Sequence, residues 1–102
     1  MNEVDKKISV IQTLCLTHRV ERLYLFGSIL GSHFSEKSDI DFLVRFKKIE
    51  LLKYADNYFN LKFSLEEIFN RPVDLLEEQS IKNPYFLEVL NETKKLVYGS
   101  RD

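Results

Sequence analysis

The stretch that decides the fold is Leu23-Tyr-Leu-Phe-Gly-Ser-Ile-Leu-Gly-Ser-His-Phe-Ser-Glu-Lys-Ser-Asp-Ile-Asp-Phe-Leu-Val44. Its first part completes Val20-Glu-Arg-Leu-Tyr-Leu-Phe26, rich in β-branched, aromatic and aliphatic residues and closed by Gly27, which reads as a strand. Residues 28–38 are mostly small and polar with three apolar positions, consistent with a short helical turn and a loop. The segment 39–46 then alternates. Ile40, Phe42, Val44 and Phe46 share one face, and Asp39, Asp41, Leu43 and Arg45 share the other, because side chains in a strand repeat every two residues. The pattern predicts strand, turn, strand, with two carboxylates at the mouth of the second strand.

Working outward, Val4, Ile8, Ile11 and Cys15 fall on one face of a first helix over about 2–18. Leu51, Ala55, Tyr58, Leu65 and Ile68 follow helical spacing, flanked by Leu52, Phe59 and Phe69, which predicts a long helix over about 50–69 ending before Pro72. Pro72–Leu76 is short and apolar and reads as a third strand. Asn83-Pro84 starts a last helix expected to bury Phe86, Val89 and Leu90, with Lys95–Tyr98 as its end or a short extended segment. The order implies an α/β (α+β) fold, a small mixed β-sheet covered by helices. Strand order stays open at this level.

The 102 residues suit one domain, 1–102, with 44% hydrophobic and 30% charged residues. Fifteen basic residues against sixteen acidic ones leave a net charge of −1, which argues against a nucleic-acid-coating surface. The single Cys15 sits at helical spacing with apolar residues and reads as a buried core thiol. No signal peptide and no apolar stretch of the roughly 20 residues that cross a bilayer is present, so a cytoplasmic protein is expected.

Asp39 and Asp41 on one strand face stand about 7 Å apart along it. Carboxylates held that close repel, and a divalent cation resolves the conflict; an all-oxygen site suits Mg²⁺, with Mn²⁺ as the alternative. Asp74 is an unexpected charge in the apolar third strand. If that strand lies beside 39–46, three carboxylates come together, and three can hold two ions of the kind that clamp attacking and leaving oxygens in nucleotidyl displacement. Gly27-Ser28 supplies a complementary phosphate grip: glycine admits close backbone approach, and a helical turn there offers N–H donors beside the Ser28 hydroxyl.

A strand ending in Gly27-Ser28, ten residues, Asp39-Ile40-Asp41 opening a strand, and Asp74 in a later strand resembles the polymerase-beta-like nucleotidyltransferase superfamily. Over nearly its whole length the chain is similar to the minimal nucleotidyltransferases, the MNT-type antitoxins. The resemblance implies a nucleotidyltransferase-like fold in a single minimal domain. It implies that Asp39 and Asp41 bind both of two Mg²⁺ ions and that Asp74 completes one site and helps deprotonate the acceptor. Gly27 and Ser28 would then hold the triphosphate. The implied reaction moves AMP from ATP to a protein hydroxyl, in this family usually a tyrosine of a HEPN-type toxin, so the implied partners are ATP and that toxin, with oligomerisation open and no membrane or direct nucleic-acid binding. Against the family pattern, Ile29, Leu30 and Gly31 occupy the places where many relatives carry a basic residue. The alternative is a binding module that neutralises its partner by complex formation alone.

Each feature also has an ordinary structural reading. Asp39 and Asp41 can be a solvated strand entry, Asp74 an edge charge that discourages pairing, and Ser28 a helix cap. His33 reads as a solvated loop residue and His18 as a helix C-terminal group. Arg45 is open between a counter-charge for the carboxylates and a phosphate contact. Tyr54, Tyr58, Phe59 and Phe63 are expected to be mostly core, any exposed member offering a partner surface.

Overall fold

The computed structural model describes residues 2–31, 35 and 37–100. In chain order the elements are α1 (Asn2–Lys6), α2 (Ile8–Thr17), β1 (Val20–Phe26), a 3₁₀ turn (Gly27–Leu30) and β2 (Ile40–Phe46). There follow α3 (Leu51–Phe69), β3 (Val73–Glu77), a second 3₁₀ turn (Glu78–Ser80), α4 (Pro84–Thr93) and β4 (Lys95–Tyr98). The strands form one mixed sheet in the order β3-β2-β1-β4. β1 pairs antiparallel with both β2 and β4, whereas β2 and β3 run parallel and are joined through α3, the crossover that parallel neighbours need.

The alternation expected of β2 sets the two faces. Ile40, Phe42, Val44 and Phe46 join the main core, where they meet Leu61, Leu65 and Phe69 of α3 and Ile11 and Cys15 of α2. The Phe42 and Phe69 rings lie 6.0 Å apart, and Tyr54 meets Phe46 edge-on at 5.6 Å. Leu43 belongs to a smaller cluster on the opposite face with Tyr24, Phe26 and Leu90. Cys15 is buried as expected, and burial pushes its thiol up to about 12.

Several boundaries differ from the expectation. The first helix is interrupted at Lys7, whose N–H bonds the carbonyl of Val4 at 3.0 Å in a tight turn; Val4 of α1 and Ile11 of α2 nevertheless share one core. The apolar stripe of α3 begins at Tyr54, not Leu51: Leu51 and Leu52 project from the first turn at 88% and 94% exposure, where Phe46 is already the last strand residue beneath. Ala55 is exposed, and Leu61, absent from the expected stripe, is fully buried. Of the four aromatics, Tyr54 and Tyr58 are half-buried and Phe59 and Phe63 exposed, their rings stacked at 5.9 Å, so the expectation that most are core fails.

α4 starts as its sequence predicts: the Asn83 side-chain oxygen accepts from the N–H groups of Tyr85 and Phe86, and Pro84 takes the first helical position. Only Leu90 of this helix is buried, while Phe86 and Val89 remain exposed. Leu90 meets a mixed sheet face, where Tyr24, Phe26 and Leu43, with Leu76 and Leu96 packed against them, stand beside charged residues including Asp41 and Arg45. Lys95–Tyr98 is the extended segment, and it closes the sheet as β4 beside β1. Among the described residues no helix is long and apolar enough to cross a membrane.

Candidate active site

β1 delivers Gly27 at its end. The strand must turn sharply there, and Gly27 does so at φ +76°, a left-handed conformation that side-chain-bearing residues avoid. Antiparallel pairing sets Phe26 opposite Asp41, so the Gly27 backbone packs directly against the Asp41 carboxylate. A Cβ on Gly27 would collide with Asp41 Oδ2 and stand 3.1 Å from its Cγ. The Asp41 carboxylate takes the space that a side chain at position 27 would need, so this close approach requires glycine. The Ser28 side chain and the whole of His33 lie outside the described residues.

Asp74 reaches the same place through the parallel ladder. Ile40 is the register partner of Val73 and Asp41 that of Asp74, so the two aspartates project side by side from neighbouring strands, whose spacing is roughly 4.8 Å. Asp39 precedes β2 by one residue and is exposed. The ladder continues to its border, with the Ile40 N–H bonding the Pro72 carbonyl at 3.2 Å. Register thus brings Asp41 and Asp74 together, and Asp39 flanks them from the loop. Among the described residues no three His, Cys, Asp or Glu side chains form a ready-made metal-binding group. The oxygen donors that the register brings together fit a hard divalent cation, with Asp41 and Asp74 as its nearest holders and Asp39 beside them.

Arg45 lies 3.6 Å from Glu21 and 3.4 Å from Glu78, so the counter-charges it meets are these two glutamates, where the sequence offers the aspartates or a phosphate. Glu78 also accepts from Lys94 at 2.9 Å. Burial alone would raise the Glu78 carboxyl; the hydrogen bonds and charges of Lys94 and Arg45 outweigh it and hold it below the usual carboxylate range. His18 places Nδ1 2.8 Å from the carbonyl of Leu14, a helix-end contact as expected. Ile29 is buried and Leu30 packs against the main core, so the positions where many relatives carry a basic residue serve packing here.

Three supporting residues carry no motif that marks them in the sequence. Arg71 holds the loop before Asp39 through Nη1, which donates to the carbonyls of Ser35 (3.0 Å) and Ser38 (3.1 Å). Glu66 Oε2 accepts from the Val73 N–H at 2.9 Å, and the Tyr58 hydroxyl donates to the Leu75 carbonyl at 2.5 Å. The only hint of Arg71 is its place between the helix end and Pro72.

Comparison with known proteins matches this arrangement. A family model described as "Polymerase beta, Nucleotidyltransferase" covers residues 9–102. The Methanocaldococcus jannaschii protein "Putative protein adenylyltransferase MJ0435" is 37% identical over 92 residues, 90% of this chain and 92% of that one. Among solved structures, one described as "putative minimal nucleotidyltransferase" superposes with a TM-score of 0.73 at 27% identity, covering 88% of each chain. A tri-AMPylated Shewanella oneidensis HEPN toxin in complex with its MNT antitoxin provides a chain that shares the fold at a TM-score of 0.64 and 20% identity, covering 95% of this chain and 73% of that one. With a strand-end glycine against Asp41, Asp74 in register beside it, and a family match along nearly the whole sequence, the chain belongs to the polymerase beta nucleotidyltransferase family, as an enzyme that transfers nucleotidyl groups.

Proposed function

We propose that this nucleotidyltransferase is the antitoxin of a toxin–antitoxin pair and transfers AMP from ATP to a tyrosine hydroxyl of a HEPN-type toxin, with Mg²⁺ as its cofactor. The observation that carries the reading is the register pairing of Asp41 with Asp74, with the Gly27 backbone packed against the Asp41 carboxylate. Kinship with a protein adenylyltransferase and the shared fold of the MNT antitoxin bound to its AMPylated toxin support the substrate and the partner.

In this reading the acceptor oxygen forms a bond to the α-phosphorus of ATP, the bond from that phosphorus to the α–β bridging oxygen breaks, and pyrophosphate leaves. The hydroxyl proton passes to Asp74. The Gly27-Ser28 turn seats the triphosphate where backbone can approach it closely. Asp39, Asp41 and Asp74 would hold the cation, which when bound would offset the negative charge of carboxylates and phosphates.

A second reading, neutralisation by contact alone, draws on the burial of Ile29 where relatives place a cation. One experiment separates the two. The protein is mixed with ATP, Mg²⁺ and a co-encoded all-helical partner, and the partner is weighed by mass spectrometry. Added AMP that disappears with Asp41→Asn supports transfer. An unmodified partner, silenced in a complex that survives Asp41→Asn, refutes it.

A further inference from the structure

β3 is an edge strand, and its outer backbone groups belong to alternate residues. Asp74 turns its own backbone inward to the β2 ladder, so Val73 and Leu75 face the open side. On an ordinary edge such groups bond to water. Here α3 covers both: the Glu66 carboxylate takes the Val73 N–H, and the Tyr58 hydroxyl reaches the Leu75 carbonyl. Because the helix runs back along the strand that follows it, its later residue meets the earlier strand residue. The two bonds therefore bracket Asp74.

We propose that Tyr58 and Glu66 are positioning residues for Asp74, clamping β3 on either side of it so that its carboxylate keeps a fixed direction beside Asp41. The inference rests on the reading of Asp74 as a site carboxylate. A strand bonded on one edge is free to twist about its axis, and that twist swings a side chain standing off the sheet. Bonds on both edges at consecutive residues remove the freedom. The Tyr58 hydroxyl suits this role as a protonated donor across the neutral range, and burial, then the negative charge of Asp74, push its pKa further up. Neither residue is fully exposed, and each is half-buried over the strand it holds.

The test uses three single substitutions at the two clamp residues, one double variant and Asp74→Asn, each in the full chain. Tyr58→Phe keeps the ring and loses the donor; Glu66→Ala loses the acceptor; Glu66→Gln retains an acceptor oxygen. Amide hydrogen exchange without nucleotide is read at Val73, and label transfer from [α-³²P]ATP to the all-helical partner is read well below each variant's melting midpoint. The Val73 N–H should exchange at least about tenfold faster in Glu66→Ala and near the native rate in Glu66→Gln. In Tyr58→Phe combined with Glu66→Ala, kcat should fall about tenfold with KM for ATP within about twofold, and Glu66→Gln should restore its share. A double variant at native kcat, while Asp74→Asn loses about a hundredfold or more, overturns the clamp and leaves the reading of Asp74 standing. Asp74→Asn at native kcat overturns both.

Discussion

Replacing Gly27 by alanine separates the geometry of the site from the stability of the fold. The backbone there has φ +76°, which costs an alanine about 1–2 kcal/mol. The new Cβ would overlap Asp41 Oδ2, the tip of a side chain that can rotate. Relief therefore comes from turning the carboxylate away by about 1 Å, a displacement that can cost on the order of a hundredfold in rate. The matched control is Gly99→Ala. Gly99 has φ +99°, and its Cβ would overlap the backbone carbonyl of Glu21 and stand 2.9 Å from Arg22 Cγ, on the far side of β1 from Gly27. Backbone cannot rotate aside, so this variant adds about 1–3 kcal/mol of overpacking to the conformational cost. For a domain of this size each kcal/mol lowers the melting midpoint by about 4–8 °C. Gly27→Ala should thus melt roughly 5–15 °C lower and lose about a hundredfold in kcat, whereas Gly99→Ala should melt lower still and keep kcat within about twofold. Differential scanning calorimetry and AMP-transfer rates, taken well below both midpoints, read the two effects. If Gly27→Ala keeps kcat within about threefold despite the expected melting loss, the contact between Gly27 and Asp41 does not shape the reaction.

Other consequences are equally direct. Phe42→Ala removes a fully buried ring at the centre of the sheet and should cost about 3–5 kcal/mol in denaturant unfolding. Cys15, buried with its thiol pushed up to about 12, should resist iodoacetamide at pH 8 in the folded protein and react once urea unfolds it. The Glu78 carboxyl is held below its ordinary value of 4.5, so its contribution is complete above that pH and is lost as the pH falls through the lowered folded value. Glu78→Gln should therefore cost about 1 kcal/mol at pH 7, and the difference from the native chain should shrink in melts below pH 4.5.

What could be read from the chain, and what could not, divides along a physical line. The faces of β2 follow from a two-residue period, and the Asn83-Pro84 helix start from groups one to three residues apart, so both were legible. The interruption at Lys7 was not, because no proline or glycine marks it. The exposure of Phe86 and Val89 could not be read either: their spacing suits burial, but the patch that takes up Leu90 alone is assembled from distant segments. The site shows the same division within itself. Gly27, Asp39, Asp41 and Asp74 could be named from residue type and local order. Their relative placement depends on β3 lying parallel to β2, which brings Asp41 beside Asp74 and leaves Asp39 in the loop. The groups that hold them, Arg71 on the loop and Tyr58 and Glu66 on the edge strand, act across 33, 17 and 7 residues of chain. A carboxylate declares itself by being out of place in an apolar strand; the bond that aims it comes from a helix residue whose spacing alone reads as core.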